Sequence, residues 1–107
     1  MSGSAQVVLC TVPSETVAEQ IARAVLEEQL VACVNILPGV RSLYRWEGRI
    51  EDAQEFLLIM KTARASYPAL EARVRALHPY EVCEVVALDA AAVSAPYLDW
   101  VLRETRR

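Results

Sequence analysis

Apolar residues fall along the chain in short blocks and in stripes of helical spacing, and the two alternate. The first block, Gln6 to Val12 (QVVLCTV), is β-branched, too short for an ordinary helix and closed by Pro13, so it predicts a buried strand. Ser14 then offers a helix N-cap, with Glu15 in the first turn, where the helix dipole favours a negative charge. Val17, Ile21 and Val25, flanked by Ala18, Ala22 and Leu26, form one stripe that predicts an amphipathic helix ending near Leu30. Val31 to Trp46 is long and β-rich but interrupted by Pro38-Gly39, which predicts one bent strand or two collinear ones. Glu47-Gly48 is the expected hairpin turn, and Arg49 to Thr62 returns as a second long strand. Ser66 to Leu77 predicts a second helix, with Pro68 near its first turn and His78-Pro79 at its end. Glu84 to Leu88 (EVVAL) predicts a fourth strand, and Ser94 caps a last short helix with Tyr97, Trp100 and Val101 on its apolar side.

The order β-α-β-β-α-β, plus a C-terminal helix, is an α+β arrangement of the ferredoxin-like kind. It implies an antiparallel sheet with both main helices on one face, expected as one domain over residues 1–107. Two features exceed the generic fold. Phe56, Leu58 and Met60 point to one face and Leu57 and Ile59 to the other, and Val85 and Ala87 oppose Val86 and Leu88 in the same way. An antiparallel sheet with one wet face should alternate apolar and polar, so a partner subunit is the economical cover for the second face. Each hairpin arm also holds about 14 residues, or roughly 45–50 Å at ~3.3 Å per residue. The expected radius of gyration is only about 13 Å. The hairpin must therefore project, and Leu43, Tyr44 and Trp46 near its tip need another chain to pack on.

Composition narrows the function classes. The chain has 107 residues, 54% of them hydrophobic and 23% charged, with three glycines and five prolines, which excludes disorder as the main state. No apolar run approaches the ~18 residues of a membrane span. The Met1-Ser2-Gly3-Ser4 start carries no basic residue and no signal-type apolar block follows, so a cytoplasmic location is expected. A net charge of −3 argues against a nucleic-acid or membrane footprint. RNA-recognition modules share the element order but stack bases on sheet aromatics, which the first strand lacks. Enzyme motifs are also missing: there is no G-x-S-x-G, H-E-x-x-H, P-loop or dinucleotide fingerprint, and VPSET after the first strand has no glycine to cradle a phosphate. Cys10, Cys33 and Cys83 have no zinc-site or disulfide-framework spacing, so buried reduced thiols are expected.

The stretch LVACVNILPGVRSLYRWEGRIEDAQEFLLIMKT (Leu30 to Thr62), then HPYEVCEVVAL (His78 to Leu88) and YLDW (Tyr97 to Trp100), resembles the CutA family of divalent-cation tolerance proteins. The combination A-C-x-N-I-x-P-G, Y-x-W-x-G, K-T and H-P-Y at these separations is specific, and the likeness covers nearly the whole chain. The family is similar in outline to the PII signalling proteins, with a ferredoxin-like protomer in a tight trimer. The resemblance therefore implies a homotrimer, a fold without enzymatic activity, and an association with Cu²⁺ or another divalent cation but no organic cofactor. Its implied metal ligands fall on Cys10 and His78, a thiol and an imidazole of the kind that suits copper or zinc. Many relatives carry two histidines before Pro-Tyr. This chain has Leu77-His78, so binding is expected to be weak.

The other candidates read in two ways. Cys33 matches a family cysteine, yet mid-strand among Val31, Ala32 and Val34 it also reads as core. Lys61, at the end of FLLIM, either snorkels or places a cation between subunits. Tyr80, Glu81 and Glu84 follow His78 closely and, with Lys61, Tyr44 and Trp46, form either a subunit interface or a ligand cleft. The second reading makes the protein a PII-like regulator that binds a small metabolite between subunits.

Overall fold

The computed structural model describes residues 4–106; residues 1–3, part of the basis for expecting no secretory signal, lie outside that range, as does residue 107. Four strands and three α-helices follow in the expected order. They are β1 (Ala5–Val12), α1 (Glu15–Glu27), β2 (Cys33–Trp46), β3 (Arg49–Ala63), α2 (Tyr67–Leu77), β4 (Val86–Asp89) and α3 (Ala95–Glu104), with a 3-10 turn at Arg64–Ser66 before α2. The sheet order is β2-β3-β1-β4, and every neighbouring pair is antiparallel. This is the ferredoxin-like α+β topology.

The alternation of β1 and β3 builds the core. Val8, Cys10 and Val12 lie opposite Met60, Leu58 and Phe56 and face the helices. Val8, Leu58 and Met60 are fully buried there against Ile21 and Val25 of α1 and Leu70 and Val74 of α2. Each such side chain withdraws enough apolar surface from water to contribute roughly 1.5–3 kcal/mol. Residues on the opposite face, Val7, Leu9, Leu57 and Ile59, are half-buried. There α3 packs on β3 and β1 and buries Val101 completely. The cover is partial: Val86 and Leu88 of β4 stay exposed.

The hairpin is as long as its sequence requires. Its arms have 14 and 15 residues, and the molecule measures 44 × 26 × 23 Å. β1 pairs with β3 only as far as Val12–Phe56, so beyond Glu55 the hairpin leaves the core. Leu43, Tyr44, Trp46 and Ile50 are exposed along it, Ile50 at 71%. At Pro38-Gly39 the chain forms one bulged strand rather than two. Leu37 pairs with Leu57 and Val40 with Glu55, so two residues face Phe56 alone, and Gly39 supplies a φ of +74°. The tip turn has positive φ at both Glu47 (51°) and Gly48 (80°), the backbone a two-residue type I′ connection needs.

The end of α1, the start of β4 and one helix cap differ from expectation. α1 stops at Glu27 rather than near Leu30. Gln29 adopts φ +58°, its N–H donates to the Leu26 carbonyl, and the Leu30 N–H donates to the Val25 carbonyl. That pair of bonds is a Schellman stop, and burial of Leu30 secures it. β4 begins at Val86 rather than Glu84, because the preceding segment is held elsewhere: the Val85 carbonyl accepts from the Tyr67 hydroxyl at 3.3 Å. Ser14 caps α1 as expected, accepting from the Val17 N–H at 3.2 Å, whereas Ser94 holds the N-cap position of α3 without a side-chain bond.

Gln29 carries a left-handed backbone that costs an L-residue about 1–2 kcal/mol and glycine little. Gln29→Gly is expected to stabilise the fold by about 0.5–1 kcal/mol once glycine's extra unfolded-state entropy is deducted. Thermal denaturation checks this, and an unchanged or lower melting temperature would refute it.

Candidate functional site

The Thr11 carbonyl, near the end of β1, is where the two implied ligands meet. The Cys10 thiol donates to it at 3.7 Å, and His78 Nε2 lies 2.8 Å from it. His78 follows α2, which ends at Leu77, and the ring is buried at 7% exposure. Its Nδ1 accepts the Tyr80 backbone N–H at 3.1 Å. With Nδ1 accepting, the proton is assigned to Nε2, which donates to Thr11. The imidazole thus ties the end of β1 to the turn that follows α2. Tyr80 continues the chain of contacts. Its ring packs 4.7 Å from the imidazole, centroid to centroid, and its hydroxyl donates to Glu55 Oε2 at 2.7 Å.

The electrostatics favour the protonated forms of the Cys10 thiol and the Tyr80 phenol. Burial first, then Cys83, Glu84 and Glu55, push the Cys10 thiol from 9.0 up to about 12. Burial, the Glu55 hydrogen bond and the charge of Glu55 likewise drive the Tyr80 phenol upward. A metal ligand must offer a thiolate or a free nitrogen lone pair. Here Cys10 is a thiol, and both His78 nitrogens are engaged. Among the described residues no group of three or more His, Cys, Asp or Glu side chains could hold a metal ion. The pair in one chain, as folded, does not fit a resident metal.

Beside this network lies an open cleft of about 810 Å³, in the corner where β1 ends and the hairpin departs. The hairpin contributes Arg41, Ser42, Leu43, Tyr44, Arg45, Trp46 and Glu55, β1 contributes Thr11, and the segment after α2 contributes Tyr80, Glu81, Val82 and Glu84. Five of the expected cleft residues, Tyr44, Trp46, Tyr80, Glu81 and Glu84, do come together. Lys61 and Cys33 do not join them. They pair with each other across β3 and β2, six ladder positions from Glu55, about 20 Å at the usual strand rise. Lys61 Nζ donates to Asn35 Oδ1. Cys33 lies beside Tyr97 of α3, whose phenol is raised by burial and then by that thiol. Cys10, Cys33 and Cys83 are all free thiols.

Sequence reasoning did not pick out Glu55, which is only 5% exposed and sits at the floor of the cleft. A signal was present: Glu55 is the last acidic residue before the FLLIM run, and it pairs with Val40 on the face that also carries Tyr44 and Trp46. Arg41 is neutralised across the hairpin by Asp52, with bonds of 3.0 and 2.7 Å that hold the Asp52 carboxyl below its usual range.

Two outcomes follow. Tyr80→Phe strips the buried Glu55 carboxylate of its hydroxyl donor and is expected to cost about 1–3 kcal/mol in chemical denaturation; a loss within error would place Glu55 in water. Because the folded chain keeps the Cys10 proton to higher pH than the unfolded chain, this group leaves stability unchanged below pH 9.0 and lowers it as pH rises from there towards about 12. Cys10→Ala is expected to flatten that decline, and Cys10 is expected to escape alkylation at neutral pH while the chain is folded. Equal alkylation of folded and unfolded chains at Cys10 would contradict the burial.

Comparison with known proteins agrees with the topology. The family model described as CutA1 divalent ion tolerance protein matches residues 6–104. The Divalent-cation tolerance protein CutA of Thermus thermophilus is 54% identical over 100 residues, covering 94% of this chain and 97% of that one. Human Protein CutA is 48% identical over 103 residues, which is 96% of this chain but only 58% of the longer human protein. Among solved structures, the divalent cation tolerance protein from Thermus thermophilus superposes with a TM-score of 0.93 at 53% identity, covering 95% of this chain and 99% of that one. The periplasmic divalent cation tolerance protein CutA from Archaeoglobus fulgidus does so with a TM-score of 0.93 at 35% identity, covering 95% and 99%. A shared sequence over nearly the full length, on the same four-stranded sheet with its long hairpin, leaves one assignment: the chain belongs to the CutA1 divalent ion tolerance family.

Proposed function

We propose that the protein serves divalent-cation tolerance as a non-enzymatic homotrimer that takes up Cu²⁺ or a similar ion weakly. The observation that carries the assembly is the hairpin. Its outer half bears Leu43, Tyr44, Trp46 and Ile50 in the open, and the second sheet face leaves Val86 and Leu88 uncovered. Apolar surface of this extent on one small chain is the mark of a protein–protein interface. Copies of the same chain supply the cover, since hairpin and sheet face are both present on each.

Cation uptake rests on the family and on the convergence of Cys10 and His78 at one carbonyl. Cys10 and His78 would hold such an ion only with the thiol, pushed up to about 12, deprotonated and Nδ1 free of the Tyr80 N–H, so affinity is modest. The three free thiols fit a reducing, cytoplasmic setting. A second reading, a PII-like metabolite regulator, is favoured by the volume of the cleft beside the hairpin.

Light scattering with Cu²⁺ calorimetry tests the proposal. The expected mass is three times the 11.9 kDa chain, and Trp46→Ala is expected to weaken assembly by about 2 kcal/mol or more if the ring is a buried anchor. A monomer at micromolar concentration would overturn the assembly. His78→Ala is expected to lower Cu²⁺ affinity and Leu77→His to raise it; identical titrations for all three proteins would remove the ion from this site.

A further inference from the structure

We propose that Lys61 of one copy of the chain pairs with Glu55 of the next, so that each cleft is completed by a residue from a second copy. The inference rests on the homotrimer proposed above and names a contact that closes it. Side chains alternate along a strand, so Glu55, Leu57, Ile59 and Lys61 of β3 lie in one row on the sheet face that the two main helices leave uncovered. The row carries an acid at one end and a base at the other, about 20 Å apart at the usual strand rise, with two half-buried apolar residues between them. By register, Tyr44 and Trp46 continue this face along the hairpin, and the exposed Val86 and Leu88 border it on β4.

Both charges have neutral partners only. Glu55, 5% exposed, accepts from the Tyr80 hydroxyl, and Lys61 donates to the Asn35 side-chain carbonyl. Neither forms an ion pair among the described residues. A copy packed over the row withdraws both from water, and a buried charge left unpaired is costly. Within one chain they stand too far apart to satisfy each other. Between copies they match, because a head-to-tail arrangement brings the basic end of one row to the acidic end of the next, and such a contact closes into a ring when the rotation returns to the first copy. The charge census selects Lys61. Arg23, Arg41, Arg49, Arg64, Arg73 and Arg75 each have a carboxylate of their own chain within 4 Å. Arg45 lines the cleft of its own chain without pairing with Glu55, and Arg103 and Arg106 are exposed near the C-terminal end. Glu81 and Glu84 line the same cleft and add to its attraction for an ammonium group.

A double-mutant cycle on the assembly tests the pair, with light scattering on dilution as the readout and circular dichroism as the check on folding. Glu55→Gln and Lys61→Met are each expected to raise the dissociation constant of the trimer about tenfold or more, and the double variant no further than either alone. Sites about 20 Å apart in one chain act independently, so effects that fail to multiply report a contact between copies. Single effects that multiply in the double variant, or variants that assemble like the unmodified protein, would overturn the inference while the assembly stood. An unmodified chain that runs as a monomer at micromolar concentration would remove both. Should a variant not fold, a carbodiimide that joins amines to carboxylates in direct contact is applied to the unmodified protein, where Lys61 is the single lysine. Covalent dimers linked from Lys61 to Glu55 are expected by peptide mass mapping. A link from Lys61 to another carboxylate, or no link from it, would overturn the inference.

Discussion

The β2–β3 ladder is longer than anything one chain provides to pack against it. Near Leu58 and Met60 the ladder has β1 beside it and two helices over one face. Past Glu55 it has neither, and the pairing of Val40 to Trp46 with Glu55 to Arg49 must hold by itself. An isolated two-stranded ribbon is marginal in water. The cross-strand Arg41–Asp52 contact helps little, since exposed ion pairs contribute a fraction of a kcal/mol. The outer hairpin therefore owes its order to its rooted base and to whatever covers its apolar side chains. That constraint also creates the cleft, because the end of β1 leaves a corner that the segment after α2 enters without filling.

That segment is fastened at its start by a buried imidazole. His78 joins a backbone carbonyl of β1 to a backbone N–H of its own turn, and Tyr80 hands the connection on to Glu55 at the base of the hairpin. Three elements remote in sequence are thus tied through one short polar chain whose members are buried or half-buried. The residue that looks most like a metal ligand in the sequence already has structural work at both nitrogens. A lone histidine beside proline and tyrosine carries no local mark that distinguishes these roles, because its partners are main-chain atoms 67 and two residues away.

Most of the fold was legible because its signals are local. Periodicity located every strand and helix, Pro13 and Ser14 marked the first junction, and the double-sided apolar pattern of FLLIM anticipated a second sheet face in need of cover, which α3 supplies in part. The misses have non-local causes. Gln29 takes a conformation that glycine usually marks, so the stop of α1 had no sequence flag. The late start of β4 depends on a tyrosine 18 residues earlier. In the site, Tyr44, Trp46, Tyr80, Glu81 and Glu84 were foreseeable as neighbours because two short motifs carry them. Within one chain Lys61 stands apart from them because β3 runs away from the cleft, so residues close to Glu55 in sequence end far from it in space. Glu55 escaped notice because burial of an acid is decided by tertiary packing.

The bulge at Pro38-Gly39 fixes which side of the ribbon each tip residue occupies. Before it, odd-numbered positions of β2 share a face with Leu57 and Ile59; after it, even-numbered ones share a face with Glu55. One supernumerary residue has switched the parity. In a regular ladder of the same length, Tyr44 and Trp46 would turn to the opposite side, away from Glu55, and the tip would lose its Glu47-Gly48 turn. The bulge therefore acts as a length regulator in the arm: it absorbs the odd residue close to the core, so that aromatic rings as far as about 20 Å further out arrive in phase with the carboxylate below them.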